Sequence, residues 1–201
     1  MEKYLTRAEK VKAFREGIVA GIPIGLGYFA VSFSLGIAAR GAGLSPVQGF
    51  IASILCLASA GEYVGFTLIA ASASYIEVAI ATFIANARYL LMSTSLSQRL
   101  HPDMPYRHRF FLAYGITDEL FGIAVSREGY LNPYYSYGAF LPSMPLWAIG
   151  TALGIIAGNA LPVGVVSALS VALFGMFIAI IIPPAKKDLI RLGLIVVSFA
   201  L

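Results

Sequence analysis

The sequence predicts an all-α, polytopic helical membrane protein, and its composition and charge spacing carry that prediction. Of 201 residues, 59% are hydrophobic and only 12% are charged, whereas about 25% of residues in a soluble domain are charged. Uncharged runs of 23 and 57 residues separate Glu16 from Arg40 and Glu128 from Lys186. A bilayer core needs about 20 apolar residues of helix. We therefore expect about six to seven transmembrane elements, some of them discontinuous.

The N-terminal segment, residues 1–16, differs from everything that follows because it is charged throughout. Thr6 is followed three residues later by Glu9, the pattern of a helix capping box. We expect a short amphipathic helix on the membrane surface. Its five Lys and Arg residues favour a cytoplasmic N-terminus under the positive-inside rule. Residues 17–201 are predicted to form a single transmembrane transporter domain.

The first span is predicted over residues 17–39. Gly17, Gly21 and Gly25 recur at four-residue intervals, a spacing that lets another helix approach closely. Pro23 lies within this span and is expected to kink or break the helix, because proline removes a backbone donor and crowds the preceding turn.

The next stretch, residues 41–76, contains a single charge, Glu62. As one helix its 36 residues would measure about 54 Å, far longer than a bilayer core of about 30 Å, yet two full spans would need about 40 residues and a turn. A discontinuous element is the expected solution, with a break near residues 59–62. Broken helices at membrane depth require protein or a wet cavity around them.

Two further elements each carry charge near the middle. Residues 78–98 have Arg88 at their centre, and residues 110–126 contain Thr117, Asp118 and Glu119. A basic loop separates these elements, and a tyrosine-rich linker over residues 127–137 follows the second.

The last part of the chain predicts spans over residues 140–158 and 162–182. Gly150, Gly154 and Gly158 repeat the glycine ladder of the first span. The repeat hints at an inverted repeat of the kind transporters use, although the surrounding residues align poorly. After Arg191 only about ten apolar residues remain, half a span, so either the last helix is incomplete or the chain is a truncated form.

Four ionisable residues fall within apolar segments: Glu62, Arg88, Asp118 and Glu119. Insertion scales assign a cost of about 2.5–3.5 kcal/mol to such a group at a helix centre, so four unpaired groups would cost on the order of 10 kcal/mol. Structural ion pairs or misplaced helix boundaries are the simpler interpretation of any one of them. Convergence on a shared wet cavity accounts for all four together.

Nothing in the sequence indicates a catalytic, metal or cofactor site. Asp118 and Glu119 are adjacent and diverge by about 100° on a helix, which makes them a poor two-carboxylate catalytic pair. His101 and His108 lie in the polar loop without other ligands at zinc spacing, so we expect them to be solvated. We expect no enzyme, no metal or cofactor, and no nucleic-acid partner.

Asn86 and Arg88 are about 200° apart on a regular helix. Both therefore reach one partner only if the helix is irregular there, and otherwise Asn86 bonds a neighbouring helix. A structural role for Asn86 is the simpler interpretation.

Four segments in order resemble the AzlC family, the large subunit of a two-component branched-chain amino acid exporter. They are PIGLGY (residues 23–28), ASAGEYV (58–64), NARYLLMSTSL (86–96) and TDELF (117–121). The resemblance covers roughly residues 14–184. It implies a multi-pass plasma-membrane exporter of small apolar amino acids and a small membrane partner subunit of the AzlD type. In two places the chain departs from the family: Glu62 stands where many members have Gln, and Tyr89 replaces the His that follows the Arg.

A zwitterionic amino acid needs a cation for its carboxylate, an anion for its ammonium group and an apolar wall. We assign Arg88, together with a broken-helix N-terminus near Gly61, to the carboxylate. Asp118 or Glu119 is expected to hold the ammonium group, with Glu62 as the proton-coupling group. Thr117 and Asn86 complete the predicted site. The alternative function is a membrane scaffold or an intramembrane enzyme whose buried charges are structural pairs.

Overall fold

The computed structural model describes residues 5–158, together with Gly164 and Gly193 as isolated positions. Across residues 5–158 every regular element is a helix, which confirms the predicted all-α class. The eight helices are α1 (Arg7–Gly41), α2 (Pro46–Cys56), α3 (Ser59–Ala70), α4 (Tyr75–Ala85), α5 (Arg88–Ser97), α6 (Tyr106–Tyr114), α7 (Asp118–Val125) and α8 (Pro133–Ala157).

Helix α1 begins at the predicted capping box. The Thr6 side chain accepts a hydrogen bond from the backbone N–H of Glu9, and the Glu9 side chain accepts one from the backbone N–H of Thr6. It then continues without interruption to Gly41, so the amphipathic segment and the first span form one helix. The expected helix break at Pro23 is wrong. Pro23 lies inside α1 with an exposed side chain. Proline is tolerated inside membrane helices because local adjustment and neighbouring helices satisfy the backbone groups that it frees.

The two predicted glycine ladders lie on α1 and α8, and these two helices pack against each other. A Cβ atom at Gly21 would overlap the backbone of Ala139, and one at Gly154 would overlap the backbone of Phe33 and Gly36. Such contacts let two helix backbones approach closely, as the ladders predicted. We call this contact the α1–α8 seam.

The α1–α8 seam joins helices that run in the same direction. Gly17 meets Tyr135 near the start of both helices, and Gly36 meets Thr151 and Gly154 near their ends. Corresponding helices of an inverted repeat run in opposite directions. The repeated glycine ladder therefore does not support the expected inverted repeat.

Fewer helices span the membrane in the described residues than the six to seven elements predicted for the whole chain. Among the helices of residues 5–158, α1 and α8 alone are long and apolar enough to cross, with α4 and α5 as a third crossing if the pair, bent by 50°, is one span. The element predicted over residues 110–126 is broken into α6 and α7. The short helices arise because each predicted span between α1 and α8 is interrupted. The predicted span over residues 162–182 and the incomplete last helix lie outside the described residues.

Helix α8 begins at Pro133, with Asn132 as its N-cap. Residues 133–137 are therefore helical, and the predicted linker over residues 127–137 is shorter than expected. One hydrophobic cluster, which includes Tyr28, Phe66, Leu120 and Trp147, joins α1, α3, α7 and α8. This cluster fixes the broken helices against the seam.

Candidate functional site

Three helix breaks lie around one small cavity. Leu57, the C-cap of α2, adopts a left-handed conformation (φ 47°), and α3 begins after the extended Ala58. Asn86 is the C-cap of α4, and Thr117 is the N-cap of α7. The break predicted near residues 59–62 is confirmed two residues earlier. The other two interruptions lie where the adjoining helices carry Arg88 and Asp118.

The cavity is lined by aromatic, aliphatic and acidic side chains from five helices and two of the breaks. Its free space is small, about 20 Å³, enough for about one water molecule. An amino acid does not fit this closed arrangement. The lining residues are Tyr28, Val31, Leu57, Ser59, Tyr89, Thr117, Asp118, Glu119 and Trp147.

The N-terminus of α7 is held by a hydroxyl from α1. The Tyr28 hydroxyl donates to Glu119 Oε2 at 2.6 Å and also contacts Thr117 Oγ1. Thr117 Oγ1 accepts from the backbone N–H of Leu120 at 3.4 Å, so its own proton is available for Tyr28. As the sequence predicts, Asp118 and Glu119 diverge: Glu119 points toward α1, whereas Asp118 points toward α5.

Arg88 forms an ion pair with Asp118, with 2.9 Å between Nη2 and Oδ2. The side chains are partly exposed, 38% for Arg88 and 22% for Asp118. Arg88 Nε is buried without a hydrogen-bond partner in the described part of the chain, whereas Nη2 is the atom that pairs with Asp118. Buried polar groups are normally hydrogen-bonded. Arg88 therefore has donor capacity left at the edge of the cavity.

Asn86 lies in the break between α4 and α5 and packs against α3. A Cβ atom at Gly61 would overlap the Asn86 side chain, so the Asn86 amide lies directly against the backbone of α3. The 50° bend confirms that the helix is irregular between Asn86 and Arg88. Asn86 Oδ1 is buried without a hydrogen bond among the described residues. Gly61 does not line the cavity.

Glu62 lies behind the cavity wall and is only 3% exposed. Its Oε2 is 2.7 Å from Ser53 Oγ on α2, and its Oε1 accepts from Trp147 Nε1 on α8 at 2.7 Å. Within residues 5–158 no Lys or Arg forms an ion pair with it. The expected convergence of four charges is therefore incomplete: Asp118 and Glu119 line the cavity, Arg88 reaches it beside Asp118, and Glu62 is separated from it.

Several residues of this region were not predicted from the sequence. Ser53, Thr151 and Trp147 surround Glu62, and Tyr28 holds Glu119. Two signals were present: Tyr28 ends the PIGLGY motif, and Trp147 is the single tryptophan of the chain. Ser53 and Thr151 carry no such signal, because isolated hydroxyl residues are common in membrane helices.

The expectation for His108 is wrong. This residue lies on α6, is buried, and its Nδ1 is 2.7 Å from the Tyr137 hydroxyl. Two tyrosines of α8, Tyr134 and Tyr137, pack against its imidazole ring, so it is part of the core rather than of a solvated loop. Among the described residues no group of three or more His, Cys, Asp or Glu is arranged to hold a metal ion.

The AzlC protein family model matches residues 23–161 of the chain. An uncharacterized membrane protein of Archaeoglobus fulgidus is 32% identical over 184 residues, covering 90% of this chain and 80% of the relative. The inner membrane protein YgaZ of Escherichia coli is 28% identical over 152 residues, covering 74% of this chain and 62% of the relative. The branched-chain amino acid transport protein AzlC of Bacillus subtilis is 24% identical over 204 residues, covering 97% of this chain and 79% of the relative. No solved structure matches the chain.

Proposed function

The chain belongs to the AzlC protein family, and on that premise we propose that it is the large subunit of an amino acid exporter. It is a membrane protein, as its relatives are named and as its apolar helices indicate. The proposed substrates are small apolar zwitterionic amino acids, moved out of the cell across the plasma membrane. We place the N-terminus in the cytoplasm, and the proposed partner is a small membrane subunit of the AzlD type.

The observation that carries this proposal is the guanidinium of Arg88 beside Asp118. Its buried Nε has no hydrogen-bond partner among the described residues, and its Nη2 is engaged only by the ion pair with Asp118. A substrate carboxylate could bind the planar edge that these two nitrogens form. Asp118 is 2.9 Å away and supplies the opposite charge for an ammonium group. A cation and an anion side by side at the cavity edge suit a zwitterion.

The rest of the cavity supports an apolar side chain. Tyr28, Val31, Leu57 and Trp147 form its non-polar wall. Since the cavity in this arrangement holds about one water molecule, binding requires the broken helices to move apart. We propose that the short helices move against α1 and α8, in the way that one helix bundle moves against another in transporters.

Glu62 is the proposed proton-coupling group. It is buried, unpaired with a cation in residues 5–158, and held by hydroxyl and indole groups that are compatible with either protonation state. Thr117 and Glu119 are proposed to complete the substrate site from α7, and Asn86 and Gly61 to shape the break beside Arg88.

The rival proposal is a membrane scaffold or an intramembrane enzyme in which Arg88 and Asp118 form only a structural ion pair. The relative named a branched-chain amino acid transport protein favours transport. A purely structural arginine would also be expected to use its buried donors, whereas Arg88 Nε has no hydrogen-bond partner among the described residues.

Reconstituted flux separates the two proposals. Proteoliposomes containing the full chain, with and without an AzlD-type partner subunit, are loaded with labelled leucine, isoleucine or valine, and efflux is measured. We expect saturable flux that Arg88→Ala abolishes while membrane insertion is retained, since removing the charge favours insertion. Arg88→Lys should also fail, because an ammonium group lacks the planar fork of a guanidinium. Arg127→Ala is the matched control, because Arg127 pairs with Glu16 far from the cavity. Near-normal flux in the Arg88→Ala variant would contradict the assigned site.

A further inference from the structure

Among the described residues that line the cavity, Trp147 is the one whose side chain is hydrogen-bonded to Glu62. Its indole ring is part of the cavity wall, and its Nε1 donates to Glu62 Oε1 at 2.7 Å. We infer that Trp147 is a positioning residue that transmits the protonation state of Glu62 to the cavity. The inference rests on the proposed function for its substrate, and its first test does not depend on transport.

The indole is also connected to the carboxylate on the opposite side of the cavity. Its ring meets the Tyr28 ring edge-on, with centroids 5.3 Å apart and an angle of 72° between planes. Tyr28 in turn donates to Glu119. Trp147 therefore lies between Glu62 and Glu119, so a change in the position of its ring alters the wall that both helices α1 and α8 present to the cavity.

The hydroxyl groups beside Glu62 fit both of its protonation states. With Glu62 ionised, Ser53 donates to its Oε2, and Thr151 donates to Ser53 across 2.7 Å. With Glu62 protonated, the carboxyl group donates to Ser53, Ser53 donates to Thr151, and Thr151 donates to the Trp147 carbonyl oxygen at 3.4 Å. Each hydroxyl keeps one proton in both arrangements, so only the direction of donation reverses.

The Trp147 hydrogen bond does not have the same strength in the two states. An indole N–H donates to an ionised carboxylate in a charge-assisted bond, which is roughly twice as strong as the bond to a neutral carboxyl oxygen. Protonation of Glu62 therefore loosens the indole. A loosened ring can turn away from the cavity and admit a side chain, whereas a tightly held ring keeps the cavity closed.

Other titratable groups face Trp147 and Glu62 from the surrounding helices, and a test must separate them from Glu62. Each lies on an element packed against the cavity or beside the break. They are Tyr28 on α1, Cys56 on α2, Arg88 and Tyr89 on α5, and Asp118 and Glu119 on α7.

Because Trp147 is the only tryptophan in the chain, its fluorescence reports on this position directly. The full chain, purified in detergent, is titrated from about pH 4 to about pH 9, a range that covers ordinary and perturbed carboxyl groups. We expect a single step in tryptophan emission that Glu62→Gln removes and Glu119→Gln retains. Glu62→Gln offers Nε1 a neutral carbonyl oxygen at every pH, so its emission should match that of the protonated parent throughout the titration. A parent protein without a step, or a step that survives in Glu62→Gln, overturns the inference.

Flux through the Trp147→Phe variant tests the consequence for transport. Phenylalanine keeps an aromatic wall but cannot donate to Glu62. We expect uphill, pH-driven accumulation to fall by at least about tenfold, the effect of losing a hydrogen bond to a charged group, while counterflow exchange continues. An equal loss of both reactions would show that Trp147 is only part of the wall. A protein that shows the fluorescence step but carries no amino acid would refute the proposed function and leave the inferred link between Glu62 and Trp147 intact.

Discussion

The α1–α8 seam and the six short helices between α1 and α8 deal with the membrane in different ways. The seam joins two long, continuous helices whose glycines bring the backbones together, and the contacting faces from Gly17 to Gly36 carry no charge. The short helices, α2 to α7, are each too short to cross a core of about 30 Å, and two of the breaks between them line the cavity. The seam brings two continuous helices into close contact, whereas the short helices place helix ends and charged side chains around the cavity.

This difference indicates a division of roles. A continuous helix satisfies its backbone groups internally, so it needs only a close neighbour. A broken helix leaves backbone groups and short segments that can move, which is acceptable only beside a cavity or other protein. The seam is therefore expected to behave as a rigid frame, and the breaks as the working part. The following predictions test that division.

The largest expected effect is on the seam. Gly154→Ala places a Cβ atom where it would overlap the Phe33 carbonyl and the Gly36 Cα atom, and overpacking a tight contact costs about 1–3 kcal/mol or more. We expect a lower yield of folded protein and a markedly lower Tm in detergent. Gly122→Ala on α7 is the control, because nothing lies within 4 Å of its added Cβ atom. Equal stability of the two variants would mean that the seam is not the rigid frame.

The next effect concerns Glu62 in the working part. Glu62→Gln is expected to reduce uphill, pH-driven flux by at least about tenfold, because an amide cannot bind and release a proton. Counterflow exchange of labelled substrate, which needs no proton gradient, should survive. Both reactions are measured in the same proteoliposomes, so differences in protein content cancel. A variant that still concentrates substrate as well as the parent does would remove Glu62 from coupling.

A smaller effect is expected where the two regions meet, at Tyr28. Tyr28→Phe removes the donor to Glu119 and the contact with Thr117, and buried groups left without a partner cost about 1–3 kcal/mol. We expect a drop of a few degrees in Tm. Tyr75→Phe is the control, since Tyr75 is 95% exposed. Unchanged Tm in Tyr28→Phe would show that α7 does not depend on α1 for its position.

The smallest expected effect is a difference in thiol labelling between two positions, one in each region, where cysteine replaces serine. In a background without Cys56, Ser59→Cys at the α2–α3 break should react with a membrane-impermeant thiol reagent when the broken helices move apart, because Ser59 lines the cavity that this movement opens. Ser32→Cys in the seam should stay protected, because Ser32 is fully buried against α8. Equal protection of both positions would indicate that the break is not reached by water.

The sequence predicted the features that follow from length and periodicity. The break near Leu57 was located because 36 residues fit neither one span nor two. The irregularity at Asn86 was only one of two alternatives that its angle to Arg88 left open. The break before Thr117 was missed because residues 110–126 form an apolar run of ordinary helix length. Pro23 was misjudged because its effect depends on the surrounding membrane and helices. The partners of Glu62 lie 9 and 85 residues away, and no local pattern encodes such contacts.

The distance along the chain between the two halves of the seam has a consequence for biosynthesis. Gly21 and Ser143 meet although 122 residues separate them, and at about 5–20 residues per second a ribosome needs on the order of ten seconds to make that interval. During this time α2 to α7 are already inserting without their frame. Arg88 and Asp118 are only 30 positions apart, so they can neutralise each other early. Glu62 must wait 85 residues for Trp147 to be synthesised, so it spends longer in the nascent protein without its partner than Arg88 spends without Asp118.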